Sequence, residues 1–140
     1  MMAQAGFLIK TLNAQLERSA NNALREDGIT LSQIALLLEL RAAGGTCKMK
    51  DLERSLCVSQ PTIAGLVKRL KRAGFVTTDV DAEDRRAKHV HITEQGTKTC
   101  DLADKRMQIA EEHLLRGLKE EERDQLKSLL VRLLDNVSDM

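Results

Sequence analysis

The sequence predicts a mainly α fold with one small β hairpin, and three observations predict it. Apolar residues recur at helical spacing at both ends of the chain and through its middle. Strand-like alternation is confined to FVTTDV and KHVHIT, on either side of the polar turn DAEDRRA. The single proline stands two residues after a serine, where the first turn of a helix tolerates it. With 140 residues, 42% of them hydrophobic and 31% charged, the chain has the size of one domain and enough apolar material for a core.

The first helix is carried by Leu8, Ile9, Leu12, Leu16, Ala20 and Leu24, and Asp27-Gly28 stops it. Thr30 is a good N-cap for the second, LSQIALLLELRAA, which is too apolar for a surface position and ends at Gly44-Gly45. A short third helix, KMKDLERSL, turns Met49, Leu52 and Leu56 inward. The fourth, SQPTIAGLVKRLKRAG, has Ser59 as N-cap, Pro61 in its first turn and Gly74 at its end. Ile63, Leu66, Val67 and Leu70 form its inner face, leaving Gln60, Thr62, Ala64, Gly65, Lys68, Arg69, Lys71 and Arg72 outside. After the hairpin, LKEEERDQLKSLLVRLL predicts a terminal helix with an apolar stripe of Leu126, Leu129, Leu130, Leu133, Leu134 and Val137.

A short helix, a tight turn, and a second helix that is small and polar at its exposed start and basic at its end meet the needs of a helix-turn-helix. The start can enter a major groove while the later bases reach phosphates. An ordinary helical hairpin with a solvated basic face is the alternative on those residues alone. The β hairpin that follows makes the unit a winged helix.

Net charge is only +1, but its distribution is uneven: residues 48 to 92 hold ten bases and six acids, residues 93 to 140 eight bases and eleven acids. A basic face on a more acidic scaffold fits a polyanionic partner. With no Trp or Tyr, and Phe7 and Phe75 as the only aromatics, stacking on single-stranded bases is excluded, so a nucleic-acid partner must be a duplex. No apolar run is long enough to span a bilayer and the first residues lack the pattern of a secretory signal, so a soluble cytoplasmic protein is expected, with no membrane partner. Cys47, Cys57 and Cys100 have no spacing for a disulfide framework or a zinc site. The chain lacks a phosphate-binding Gly-rich loop, HExxH and GxSxG, so neither an enzyme nor a cofactor is expected.

LERSLCVSQPTIAGLVKRLKRAGFV followed by DAEDRRAKHVHITEQG resembles the DNA-binding core of the MarR family of bacterial transcription regulators. That family's wing signature, D-x-R-x-x-x-V-x-L-T-x-x-G, is matched by Asp84, Arg86, Val90, Ile92, Thr93 and Gly96, with Ile in place of Leu. The resemblance implies one MarR-like domain over 1-140, with a winged helix-turn-helix lobe over about 30-96 and dimerisation helices over 1-27 and 97-140. It implies a homodimer on a pseudo-palindromic double-stranded DNA operator, acting as a repressor. It also implies a small-molecule effector in a cleft between the dimer helices and the lobe, which Ile34 and Leu36 to Leu38 would make aliphatic.

The expected DNA-facing set is Ser59, Gln60, Pro61, Thr62, Gly65, Lys68, Arg69 and Arg72 on the fourth helix, with Arg85, Arg86 and Lys88 on the wing. Gln60 has the donor and acceptor to pair with adenine, and Lys68, Arg69 and Arg72 suit phosphates. By resemblance, Arg86 enters the minor groove and Asp84 orients the wing through an ion pair to an arginine. His89 and His91 share the outer face of the return strand, where they could chelate a metal or, more simply, hydrogen-bond phosphate. Cys57 precedes the fourth helix, where oxidation would push a polar group into a packed junction; an inert thiol is the plainer reading. Two alternatives therefore stand beside a ligand-modulated repressor: a redox- or metal-responsive regulator of the same fold, and a winged helix that contacts only proteins.

Overall fold

A computed structural model describes residues 4 to 140. Met1, Met2 and Ala3 lie outside it. Helix α1 (Ala5–Leu24) passes into a single 3-10 turn, and Gly28 at φ +70° ends the segment. Helix α2 (Leu31–Ala42) starts in a capping box: the Thr30 hydroxyl accepts from Gln33 N–H at 3.2 Å, and the Gln33 side chain accepts from Thr30 N–H at 3.0 Å. Strand β1 (Thr46–Lys48) leads into α3 (Met49–Leu56), and after a three-residue turn comes α4 (Gln60–Arg72). Strands β2 (Val76–Val80) and β3 (Lys88–Ile92) form the hairpin, followed by α5 (Glu94–Leu114) and α6 (Glu120–Ser138).

The sheet has three strands rather than the two read from sequence. Its order is β1-β3-β2, antiparallel throughout, with Cys47 opposite Val90 and Val90 opposite Thr78. Thr46–Lys48 is too short to show alternation and is a strand only because β3 lies beside it.

Backbone turns close the C-terminal ends of α3 and α4. Phe75 N–H bonds Leu70 C=O at 2.9 Å and Gly74 N–H bonds Lys71 C=O at 3.1 Å, a Schellman closure with Gly74 at φ +88°. Helix α3 closes the same way with Cys57 at φ +54°, a conformation that costs a non-glycine residue roughly 1–2 kcal/mol.

The core gathers Ile34, Leu36, Leu37 and Leu40 of α2, Leu52 of α3, Ile63, Val67 and Leu70 of α4, and Val76 and Val90 of the sheet. Each such side chain stabilises the fold by about 1.5–3 kcal/mol through burial. This packing clamps α3, α4 and the sheet together. The chain divides into two compact units, one running to Ala103 and the other Asp104–Met140. In the second, the Arg123 guanidinium holds the Glu112 carboxylate at 3.2 Å and Leu118 C=O at 3.3 Å, which ties α6 to the turn that precedes it.

Candidate nucleic-acid interface

The wing turn is folded by its own aspartates. Asp81 accepts from Glu83 N–H at 2.9 Å and Asp84 from Arg86 N–H at 3.0 Å; Asp81 N–H then closes the loop onto Ala87 C=O at 2.9 Å. The ion pair expected between Asp84 and an arginine is not formed among the described residues. Asp84 shapes the turn through the backbone instead.

Other positions of the wing signature also have jobs within the fold. Val90 is fully buried and Ile92 packs against the core. The Thr93 hydroxyl accepts from Gly96 N–H at 3.1 Å, capping α5, and donates to Gly74 C=O at 2.8 Å. Gly96 is a packing requirement, since a Cβ there would lie 2.5 Å from Phe75 O and 2.7 Å from Ile92 Cγ1. Arg86 is the exception. Its side chain is exposed and has neither a hydrogen bond nor an ion pair among the described residues.

Along α4 the exposed residues fall into separate strips. Gln60 and Ala64 face a groove of about 270 Å³ that they share with Lys48, Lys50 and Glu53 at the start of α3 and with Arg86 and Lys88 of the wing. Pro61, Gly65, Lys68 and Arg72 follow one another at helical spacing on the adjoining strip. Gly65 has open space where a Cβ would stand, so no neighbouring element requires a glycine. Arg69 belongs elsewhere: with Leu66 it lines an open cleft of about 510 Å³ against Asn21, Arg25, Gly28, Ile29, Thr30 and Ser32. Ile34, Leu36 and Leu37, expected to line an effector cleft, are core residues, and Leu38 packs against them; the cleft beside Arg69 is lined by none of the four. Arg85 sits apart from Arg86, beside Val80, Asp81 and Ala82. Lys71 is turned to the sheet, its Nζ donating to Thr78 Oγ1 at 2.9 Å.

Two further expectations change. Ser59 occupies the N-cap position of α4, but its hydroxyl bonds Thr62 Oγ1 at 2.9 Å, so no side chain caps the first N–H groups of the helix. His89 and His91 do not present free rings to phosphate. His89 Nε2 donates to Asp81 Oδ2 and His91 Nε2 to Asp79 Oδ2, both at 3.0 Å, while His91 Nδ1 lies 2.8 Å from the Thr46 hydroxyl. The His89 hydrogen bond, reinforced by Glu83 N–H, draws the Asp81 carboxyl down to about 2. Among the described residues no cluster of three His, Cys, Asp or Glu side chains is arranged to hold a metal. Cys57 is exposed, so its oxidation would not enter a packed junction, and Cys47 is pushed up by burial and then by the Asp51 and Glu39 carboxylates. The sequence reading did not bring Lys48 and Lys50 to this groove. Basic residues beside an apparent loop were the only signal it offered.

The family model described as MarR family matches residues 27–87. The uncharacterized HTH-type transcriptional regulator YwoH of Bacillus subtilis is 30% identical over 114 residues, covering 81% of this chain and 82% of YwoH. This chain belongs to the MarR family. The transcriptional activatory protein BadR of Rhodopseudomonas palustris is 32% identical over 83 residues, 58% of this chain but 47% of BadR, so the MarR-family chain spans under half of that relative's length. Among solved structures, Staphylococcus aureus MepR in its DNA complex superposes with a TM-score of 0.86 at 24% identity, covering 97% of this chain and 99% of MepR. That likeness shows a shared fold over nearly the whole of both chains. No helix among the described residues is long and apolar enough to cross a membrane.

Proposed function

We propose that this chain is a sequence-specific, double-stranded DNA-binding transcription regulator of the cytoplasm, a homodimeric repressor whose DNA affinity a small molecule modulates. The observation that carries the reading is Arg86. It stands at the tip of a turn closed by other groups, with its guanidinium unspent. A narrow A·T-rich minor groove concentrates negative potential and rewards such a side chain. At the start of α4, the N-cap residue Ser59 with Gln60, Pro61 and Thr62 forms an exposed turn with polar side chains suited to the major groove, and Gly65 allows close approach. Lys68, Arg72 and Lys88 are exposed cations suited to phosphates. Repression needs no further surface, because a dimer seated on two half-sites excludes other proteins from that duplex.

The cleft beside Arg69 is the natural effector site in this reading. Arg25 and Arg69 favour an anion and Thr30 and Ser32 offer it hydroxyls. An anion held there would draw Arg69, and with it α4, toward α1 and α2. The test is selection of bound fragments from a randomised duplex pool. Enrichment of two inverted half-sites about one helical turn apart is expected; recovery of no duplex at all, with protein partners captured instead, would make the wing a protein-contact module.

A further inference from the structure

Resting on the DNA-binding reading above, we propose that Lys48 and Lys50, at the junction of β1 and α3, hold the phosphodiester strand that separates the groove read by α4 from the groove read by the wing. In a B-form duplex, a major groove and the next minor groove are divided by one sugar–phosphate strand. A molecule that puts a helix in one and a hairpin tip in the other must pass that strand between them. Here the space between α4 and the wing is the groove of about 270 Å³, with Gln60 and Ala64 on one side and Arg86 and Lys88 on the other. Lys48 and Lys50 stand at the α3 side of the same groove.

The charge of this groove supports a strand as its occupant. Four cations meet there with Glu53 as the single acid. None of Lys48, Lys50, Arg86 and Lys88 has an ion-pair or side-chain hydrogen-bond partner among the described residues, whereas Lys98 is paired with Glu94 and Arg123 with Glu112. Four like charges gathered around one acid repel one another, and a polyanion relieves that cost. Lysine, a point charge on a flexible stem, suits a phosphate contact that carries no sequence information. The short strand β1 gains a purpose from this arrangement. By setting Lys48 opposite His89 it fixes the junction one residue from Lys88 across the ladder.

The experiment uses the full chain and a duplex selected by the wild-type protein, with binding measured across a salt series. Lys48→Ala and Lys50→Ala should each weaken binding to the selected and a scrambled duplex by the same factor, and lower the slope of log affinity against log salt by about one. Lys50→Arg, which keeps the charge, should restore the slope; Lys98→Ala should leave it unchanged. A neutral methylphosphonate placed in the strand between the two read grooves should weaken the wild type but cost the Lys48→Ala/Lys50→Ala variant nothing further. If the double variant keeps the wild-type slope, or the methylphosphonate costs both proteins equally, the strand contact is wrong while DNA binding stands. If the wild type binds no duplex, the DNA-binding reading itself fails and takes this proposal with it.

Discussion

Arg86 sits where the chain has already closed its turn with Asp81, Asp84 and Ala87, so replacing it removes no contact the fold uses. Arg86→Ala should therefore leave the melting temperature unchanged while weakening duplex binding by about 1–3 kcal/mol and relaxing the preference for A·T pairs flanking the half-sites. Competition binding on A·T- and G·C-flanked duplexes reads both effects; wild-type affinity on every duplex would reduce the wing tip to a solvated turn. Asp81 is the opposite kind of residue, spent on the fold. Its carboxyl is lowered from 3.8 to about 2 by the hydrogen bond from His89, so it contributes stability that is present above pH 3.8 and lost as pH falls through about 2. Asp81→Asn should flatten the decline of the melting temperature between those two values. Melts across that acid range that match the wild type point for point would contradict the assignment.

Two glycines in helices separate packing from propensity at the scale of the elements. In α5, a Cβ on Gly96 collides with Phe75 O, a backbone atom that cannot swing aside, so Gly96→Ala should destabilise by roughly 1–3 kcal/mol. In α4, Gly65 has nothing within 4 Å, and Gly65→Ala should stabilise by about 1 kcal/mol. Denaturant unfolding of both variants measures the contrast, and equal signs would refute it. What was legible in the sequence follows the same division between local and distant causes. The bounds of α2 and α4 could be read because Thr30 with Gln33, Pro61 and Gly74 act within a few residues of themselves. Strand β1 could not, since its partner lies about forty-five residues away in the register Thr46 to His91. The aspartate partners of His89 and His91, and the turn of Arg69 away from the Gln60 strip, likewise depend on how separate elements meet. Cap chemistry misled at Ser59, whose hydroxyl found Thr62 before the helix N–H groups.

For the whole molecule, the outstanding feature is apolar surface left on helices near both ends of the chain. Phe7, Leu8 and Leu12 on α1 are half exposed or more, and so are Leu129, Leu134 and Val137 on α6. Covering such side chains stabilises by about 1.5–3 kcal/mol each, which is the driving force proposed for the homodimer. Removing residues 123 to 140 should yield a monomer in sedimentation velocity, and a truncated chain that remains dimeric would place the interface elsewhere. Two-fold symmetry then presents two α4 helices and two wings to one duplex. The most direct measurement of that claim is equilibrium binding of the full chain to its selected duplex, and to one strand of it alone, between about 50 and 200 mM salt. The account predicts little binding to the single strand and a duplex affinity that falls by about a thousandfold or more over that range, as six or more phosphate contacts demand. Equal affinity for the single strand, or a duplex affinity indifferent to salt, would contradict it.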